Sequence, residues 1–429
     1  MTLRQNLDTK IIYNAVYNLI ETANTNLPSW VYNKLSNFNC DYKDKILKNA
    51  HLAQKNKRPL CQDTGQVLVY LEIGQDIFLE GENVESIINK AIADCYKEKF
   101  YRKSTVKDVL YDRSNKGDNT PGLIHINIVG GAEISILVGI KGGGAENMTT
   151  LKMLNPTTEL SEILDFAKEC AINAGENACP PMCIGIGAGG CAETAAFLAK
   201  KALFVGKTVD FDIKNVFETR ILTAPTHIAC LPVCVNISCH SLRSTSAKII
   251  NGEIQYTKGF EKYSDVEIVS NAREIRTDDI SALTNLKNGE EILLSGKIIT
   301  ARDAAHKRLA QMIDDNETLP LSLENKIIFY AGPCPASNGE IIGPVGPTTS
   351  KRMDKYAPLL YKRGVLATIG KGDRTINGLN KLYFKANGGI ACVLQACIKA
   401  CTPICFEDLG TEGIYELTVE KLPLKTVWL

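Results

Sequence analysis

The sequence predicts an α/β protein of two domains, and three observations carry that reading. Its 429 residues exceed what one ordinary domain holds. Period-two apolar runs, such as Val67, Val69, Leu71 and Ile73, alternate with helical stripes, such as Ile11, Ile12, Ala15, Val16, Leu19 and Ile20. The patterning then fades over residues 244–280 and resumes beyond them. The expected division is therefore a first domain over 1–250, a linker over 251–280 and a second domain over 281–429.

Taken in order, a helix is expected over 9–22 and a strand after the loop RPLCQDTGQ (58–66). A second helical stripe follows through Val84, Ile87, Ile88, Ala91 and Cys95. The polar stretch 100–122 is too long for a plain connector, and loops of that size tend to be functional or disordered. Strand-like runs at 124–129 and 134–140, joined by Gly130 and Gly131, suggest a hairpin-like unit closed by KGGGAEN (141–147). Helices are expected over 160–173 and 191–204, and a strand through Leu231, Val233, Val235 and Ile237 ends at Cys239 and His240. The second domain should hold strands near 292–299, 326–331 and 365–369 and a helix from 302 to about 314. A Gly-rich stretch at 387–389 precedes an apolar helix, and strand-like segments follow.

Composition narrows the function. The formal net charge is +1, and no Lys/Arg block is long enough to propose nucleic acid or a membrane surface as partner. No apolar stretch approaches a bilayer span. The start, MTLRQNLDTK, carries no secretory pattern. Fifteen cysteines without such a pattern favour reduced thiols, some of them metal ligands, and a cytoplasmic setting is expected.

The chemistry-bearing residues gather at a few places. RPLCQDTGQ sets Cys61, Gln62, Asp63 and Thr64 in a row on a tight loop that feeds a strand, where a site is held firmly. Cys179 and Cys239 lie in similar settings, beside Pro180-Pro181 and His240-Ser241. None of the three belongs to a C-x-x-C pair, so spacing alone leaves each of them either a buried structural thiol or a ligand. Cys392, Cys397, Cys401 and Cys405 resemble a cluster run, but the last three share a helical face and read as core-facing thiols. GIGAGG (185–190) matches the dinucleotide-binding glycine pattern, with Asp210 at about the right distance. Cys179-Pro180-Pro181 leaves only a short strand before those glycines, so a tight turn packing a helix is the plainer reading. His227, one of five histidines, is either structural or a proton carrier. In the second half, Arg302, Arg352 beside Thr348 and Thr349, and Lys371 offer cations on three loops. With Arg102 they suit a small dianion, since Arg grips a carboxylate with two parallel bonds and Lys adds a point charge.

These stretches together resemble the class I fumarases, the oxygen-sensitive iron–sulfur family that also contains tartrate dehydratase and mesaconase. RPLCQDTGQ, NTPG, KGGGAEN, CPP-x-x-IGIG-x-GG, THIA, LPV-x-VN-x-x-CH, GK-x-x-TARDAAHKR, GPVGPTTSKRMD and GKGDR occur in the family's order across nearly the whole chain. TTSKRMD stands where the family more often has TTAGRMD. The resemblance implies an N-terminal mixed α/β cluster-binding domain plus a C-terminal swivelling β/β/α domain, in a homodimer. It implies a 4Fe–4S cluster on Cys61, Cys179 and Cys239 with one iron open. It also implies substrate contacts at Gln62, Asp63, Arg102, a glycine of the GGG (taken as Gly143), Arg302, Thr348, Arg352 and Lys371, with His227 as the active-site histidine. The implied reaction is reversible hydration of fumarate to (S)-malate, with Thr348, Asp63 and His227 sharing the proton transfers. Tartrate and mesaconate or citramalate are the alternative substrates. A nicotinamide-dependent oxidoreductase and an iron–sulfur sensor or electron carrier are the readings from other classes.

Overall fold

The computed structural model describes residues 5–257, 260 and 262–429. Backbone contacts divide the chain into two units. Met1–Pro59 and Asp63–Asp265 form the first, while Leu60–Gln62 and Val266–Leu429 form the second. The architecture is a mixed α/β region followed by a β/β/α region.

The first unit holds two five-stranded sheets. In one, the strands run in the order Glu253–Tyr256, Arg243–Ile250, Glu133–Lys141, Gln66–Gly74 and Leu123–Val129. Helices Lys10–Thr25 and Val84–Glu98 close one face, burying Val16, Leu19, Ile88 and Ile92 against Val67, Val69, Ile136 and Val138. The helix Val84–Glu98 starts where Asn83 accepts the Ser86 N–H at 3.1 Å, which satisfies a donor the helix cannot pair internally. The runs near 124–129 and 134–140 do form strands, but they do not pair with each other. Strand Gln66–Gly74 lies between them, parallel to one and antiparallel to the other. Their glycine turn passes over the end of that strand: Gln75 donates to the Val129 carbonyl at 2.8 Å, and a Cβ on Gly74 would stand 2.3 Å from the Gly131 carbonyl oxygen.

The second sheet runs Thr150–Leu154, Leu231–Ser238, Met182–Gly189, Val216–Ala224, Lys207–Thr208. GIGAGG differs here from a turn: the strand Met182–Gly189 runs through its first glycines. Gly185 and Gly187 let helix Ala192–Val205 lie directly on that strand, since a Cβ at either would meet the Ala199 or Ala195 carbonyl at 2.2 or 2.1 Å. The close packing of a helix is as expected, while the turn lies farther on, at Gly189 and Gly190, where φ is positive. Helix Leu160–Ala174 belongs to the core cluster on this sheet, with Ile163, Ala167 and Ala171 among Ile184, Ile186 and Val235.

The second unit is built on a seven-stranded sheet whose long final strand, Ile414–Trp428, pairs with both Leu382–Lys385 and Glu291–Thr300. Five strands thereby close on themselves, which removes their edges. Helix Asp303–Asp314 buries Ala305, Leu309 and Ile313 in the core of this unit. The apolar helix after 387–389 is short, Ala391–Ala396, and the segment read as a helical cysteine face is the strand Ile398–Cys405, antiparallel to Ile414–Trp428. Among the described residues no helix is long and apolar enough to cross a membrane.

Candidate active site

In the first unit the expected residues group around Asp63. Its Oδ2 accepts the Gly143 N–H at 2.9 Å and its Oδ1 accepts the Gly65 N–H at 3.2 Å. Arg102 Nη2 stands 3.3 Å from Oδ1. The loop is fixed locally. Thr64 donates to the Arg102 carbonyl at 2.6 Å, and Asn119 donates to the Gly65 carbonyl at 3.0 Å. Gly65 has φ +63°, and a Cβ there would stand 2.4 Å from the Lys141 carbonyl, so position 65 requires glycine. Burial pushes the Asp63 carboxyl up, but Arg102, then Arg243 and the two N–H donors outweigh it and hold the group below the usual carboxylate range. Asp63 is thus prepared as an acceptor.

Cys179 and Cys239 stand on neighbouring loops of the same unit. His240, next to Cys239, has its Nδ1 3.1 Å from the Cys179 carbonyl oxygen and 3.2 Å from that of Pro180. A carbonyl only accepts, so Nδ1 carries the proton. Both thiols are half-buried, unlike Cys95 and Cys183, which are sealed in the core. Lys141 lies beside this pair. Its ammonium is buried, donates to the Ile237 carbonyl at 2.6 Å and sits 3.3 Å from Glu146. Burial lowers its pKa to about 8, while Glu146 and Cys239 pull in the other direction. His227 is on an exposed loop, where its Nδ1 accepts the Ala229 N–H at 3.1 Å. Among the described residues no hydrogen bond or ion pair joins it to Asp63, Arg102 or Gly143.

The second unit gathers the other residues. Cys61 is buried, and its thiol donates to Gln62 Oε1 at 3.4 Å. Gln62 in turn reaches the Pro347 carbonyl at 3.5 Å, immediately before Thr348. Arg352 Nη2 donates to the Thr348 hydroxyl at 2.5 Å and to Asp303 at 2.9 Å. Asp303 also lies 3.6 Å from Arg302, whose other side is 3.3 Å from Glu412. Glu412 accepts the Ala304 N–H as well, tying Arg302 to the start of its helix. Lys371 is brought alongside by the backbone: its N–H donates to the Thr348 carbonyl at 3.1 Å, and its carbonyl accepts from Ser350 at 2.9 Å. Beneath them Arg374 and Asp354 form a buried ion pair.

This arrangement brings two guanidinium groups and one hydroxyl together beside the Lys371 backbone, which suits a small anion bearing a carboxylate. Three thiols that bind different irons of a cluster do not converge on one point, so the fit of a cluster is judged from the loops. Cys179 and Cys239, half-buried on loops joined through His240, fit as two such ligands. Among the described residues no three His, Cys, Asp or Glu side chains converge as they would on a single metal ion. Asp303, Glu412, Arg243 and Lys141 escaped sequence reasoning. The pattern carried no signal that separates them from ordinary surface charges.

Comparison with known proteins places these groups in context. A family model described as "Fumarate hydratase (Fumerase)" matches residues 10–216, and one described as "Fumarase C-terminus" matches 245–428. The chain is 29% identical over 440 residues to "Fumarate hydratase class I, anaerobic" of Escherichia coli (strain K12), covering 88% of this chain and 79% of that one. It is 28% identical to "Fumarate hydratase 2" of Leishmania major, over 88% of this chain and 76% of the other. Against "Putative L(+)-tartrate dehydratase subunit alpha" of Methanocaldococcus jannaschii the identity is 38%, but over 37% of this chain and 57% of the relative.

Proposed function

The chain belongs to the class I fumarate hydratase and tartrate dehydratase family and is a hydro-lyase, and from that premise we propose that it adds water reversibly to fumarate to give (S)-malate. The observation that carries this reading is Arg352 on the Thr348 hydroxyl, with Arg302 linked to Arg352 through Asp303 and Lys371 paired through its backbone to the Thr348 segment. Cations so placed neutralise a dicarboxylate and fix its orientation, which lowers the barrier by holding a reactive pose.

Cys61, Cys179 and Cys239 would hold a 4Fe–4S cluster, which when bound supplies a Lewis-acidic iron for the departing hydroxyl. The protein's own residues do the rest. Arg102, Arg302, Arg352 and Lys371 bind the two carboxylates, with Gln62 and the Gly143 N–H as neutral contacts. Thr348 takes the proton from the carbon next to the departing hydroxyl's carbon. A hydroxyl is a weak base near neutrality, so it needs activation. Arg352 supplies part of it by stabilising the alkoxide, and Asp63 is the partner carboxylate, as activator or as the acid or base itself. His227 serves the hydroxyl side. Cytoplasmic placement and a homodimer complete the proposal. We place the boundary between the two domains within residues 251–280.

Tartrate is the second reading, favoured by the local identity to the tartrate dehydratase subunit. Mesaconate or citramalate is the third. A dinucleotide site at GIGAGG is disfavoured, because Gly185 and Gly187 are used in strand–helix packing. The test is anaerobic turnover of fumarate, mesaconate and tartrate in parallel, followed by ultraviolet absorbance for the first two and by product assay for the third. Fumarate turnover well above the others supports the reading, and preference for another acid replaces the substrate.

A further inference from the structure

Arg243 opens strand Arg243–Ile250 and is among the largest fully buried side chains of the chain, with 1% of its surface exposed. A buried guanidinium costs several kcal/mol unless a countercharge and hydrogen bonds offset it. Its hydrogen bonding is sparse. Nη1 donates to Asn24 Oδ1 at 3.3 Å, and Nε has no partner among the described residues. Structural hydrogen bonding therefore accounts for little of its presence.

The carboxylate it approaches is Asp63, across Gly142 and, among the described residues, without a direct ion pair between them. Gly142 shows how the two approach: a Cβ on this glycine would stand 3.2 Å from Asp63 Oδ2 and 3.6 Å from Arg243 Nη2. Both groups thus face the same side of one backbone position, and glycine there keeps the space between them open. The neighbouring Gly143 N–H is itself bonded to Oδ2. Tyr96, buried nearby, feels both charges and donates to the Thr64 carbonyl. Asp63 therefore has two cations of different kinds near it. Arg102 pairs with it directly at 3.3 Å, and Arg243 is fully buried.

We propose that Arg243 is a positioning residue for the hydration reaction: its buried charge holds the Asp63 carboxylate inward against the Gly142–Gly143 backbone and shares that carboxylate with Arg102, so that Arg102 keeps positive charge for the substrate. The proposal rests on the assignment of Asp63 and Arg102 to the hydro-lyase site. Arg243 touches no substrate in it and acts through Asp63 alone.

The test is a double-mutant cycle on the reconstituted enzyme, with Arg243→Met, Arg243→Lys, Asp63→Asn and the pairs, each checked for iron content and unfolding midpoint. Arg243→Met should lower kcat about tenfold or more, as small misplacements of a reacting group do, with KM changed less. Arg243→Lys, which keeps the charge, should recover most of the loss. In the Asp63→Asn background neither Arg243 change should lower kcat further, and the unfolding midpoints should be non-additive in the same sense. Equal losses in both backgrounds, or a Lys variant no better than Met at matched iron content and stability, would overturn the positioning role while leaving the hydration reading intact. If Arg243→Met does not fold, the Lys variant alone decides through its kcat in the two backgrounds. A wild-type enzyme inactive on all three acids overturns the hydration reading, and this proposal with it.

Discussion

Arg352 donates from one nitrogen, Nη2, to both the Thr348 hydroxyl at 2.5 Å and the Asp303 carboxylate at 2.9 Å. A hydroxyl that accepts from a guanidinium is shifted toward the alkoxide, and Asp303 fixes the angle from which it does so. The prediction is that Thr348→Ala lowers kcat about a hundredfold or more, the usual scale for a lost acid or base, with iron content unchanged. Arg352→Lys should raise KM and lower kcat together, because an ammonium cannot reproduce the planar fork. Steady-state kinetics on the reconstituted enzyme decide it, and a Thr348→Ala variant near wild-type turnover would remove Thr348 from the chemistry.

His306 should make the second unit sensitive to acid. Its Nδ1 lies 2.9 Å from the Arg302 carbonyl oxygen and so carries the proton, while the ring packs 5.1 Å from that of Tyr330. Burial holds its pKa down to about 4 against an ordinary 6.5, with the Arg302 carbonyl and Asp303 pulling up. Between those values the unfolded chain binds the proton and the folded one does not. The contribution is therefore complete above the unfolded value and is lost as pH falls toward the folded one. Linkage puts it at about 3 kcal/mol at most. Urea unfolding across that range should show a shallower pH slope for His306→Gln than for the wild type, and parallel slopes would contradict the assignment.

The Arg374–Asp354 pair underlies the Lys371 loop. Arg374 is 1% exposed and Asp354 7%, and Asp354 also accepts from the Thr375 backbone N–H at 2.6 Å. Breaking a buried pair strands a charge, so Arg374→Met should cost about 3–5 kcal/mol, and replacing both partners by apolar residues should cost less. Denaturant midpoints of the single and double variants test this. A single variant as stable as wild type would show that the loop is held otherwise.

Gly187 has no room for a side chain. Gly187→Ala should destabilise the first unit by about 1–3 kcal/mol, the usual cost of overpacking, as helix Ala192–Val205 moves away from its strand. Urea midpoints measure the loss. An unaffected midpoint, or saturable binding of a reduced nicotinamide cofactor, would reopen the dinucleotide reading of these glycines.

Much of the local structure was legible in the sequence, because an apolar face repeats at the period of its element. The stripe through Ile12, Val16, Leu19 and Ile20 gave its helix, and Val67, Val69 and Leu71 gave their strand. Strand order was not legible. The glycine turn at 130–131 allows its flanking strands to pair, but Gln66–Gly74 occupies the place between them, and nothing local records that. Cys397, Cys401 and Cys405 misled for a related reason. Cys397 ends the short helix Ala391–Ala396, and pairing with Ile414–Trp428 puts Cys401 and Cys405 on a bulged strand instead. In the candidate site, the motif residues were visible as runs of reactive groups beside glycines. Their supports were not. Arg243, Asp303 and Glu412 are single charges whose partners lie far off in sequence or are shared between two arginines, so their role exists only in the folded chain.

The most direct test is purification without oxygen, reconstitution with iron and sulfide, and measurement of fumarate conversion to malate against bound iron. The account predicts conversion that scales with cluster content, disappears on exposure to air, and is lost together with the iron–sulfur absorbance in Cys179→Ser and Cys239→Ser. A protein that takes up no iron–sulfur chromophore, or that carries one and leaves fumarate untouched while converting tartrate, would contradict it.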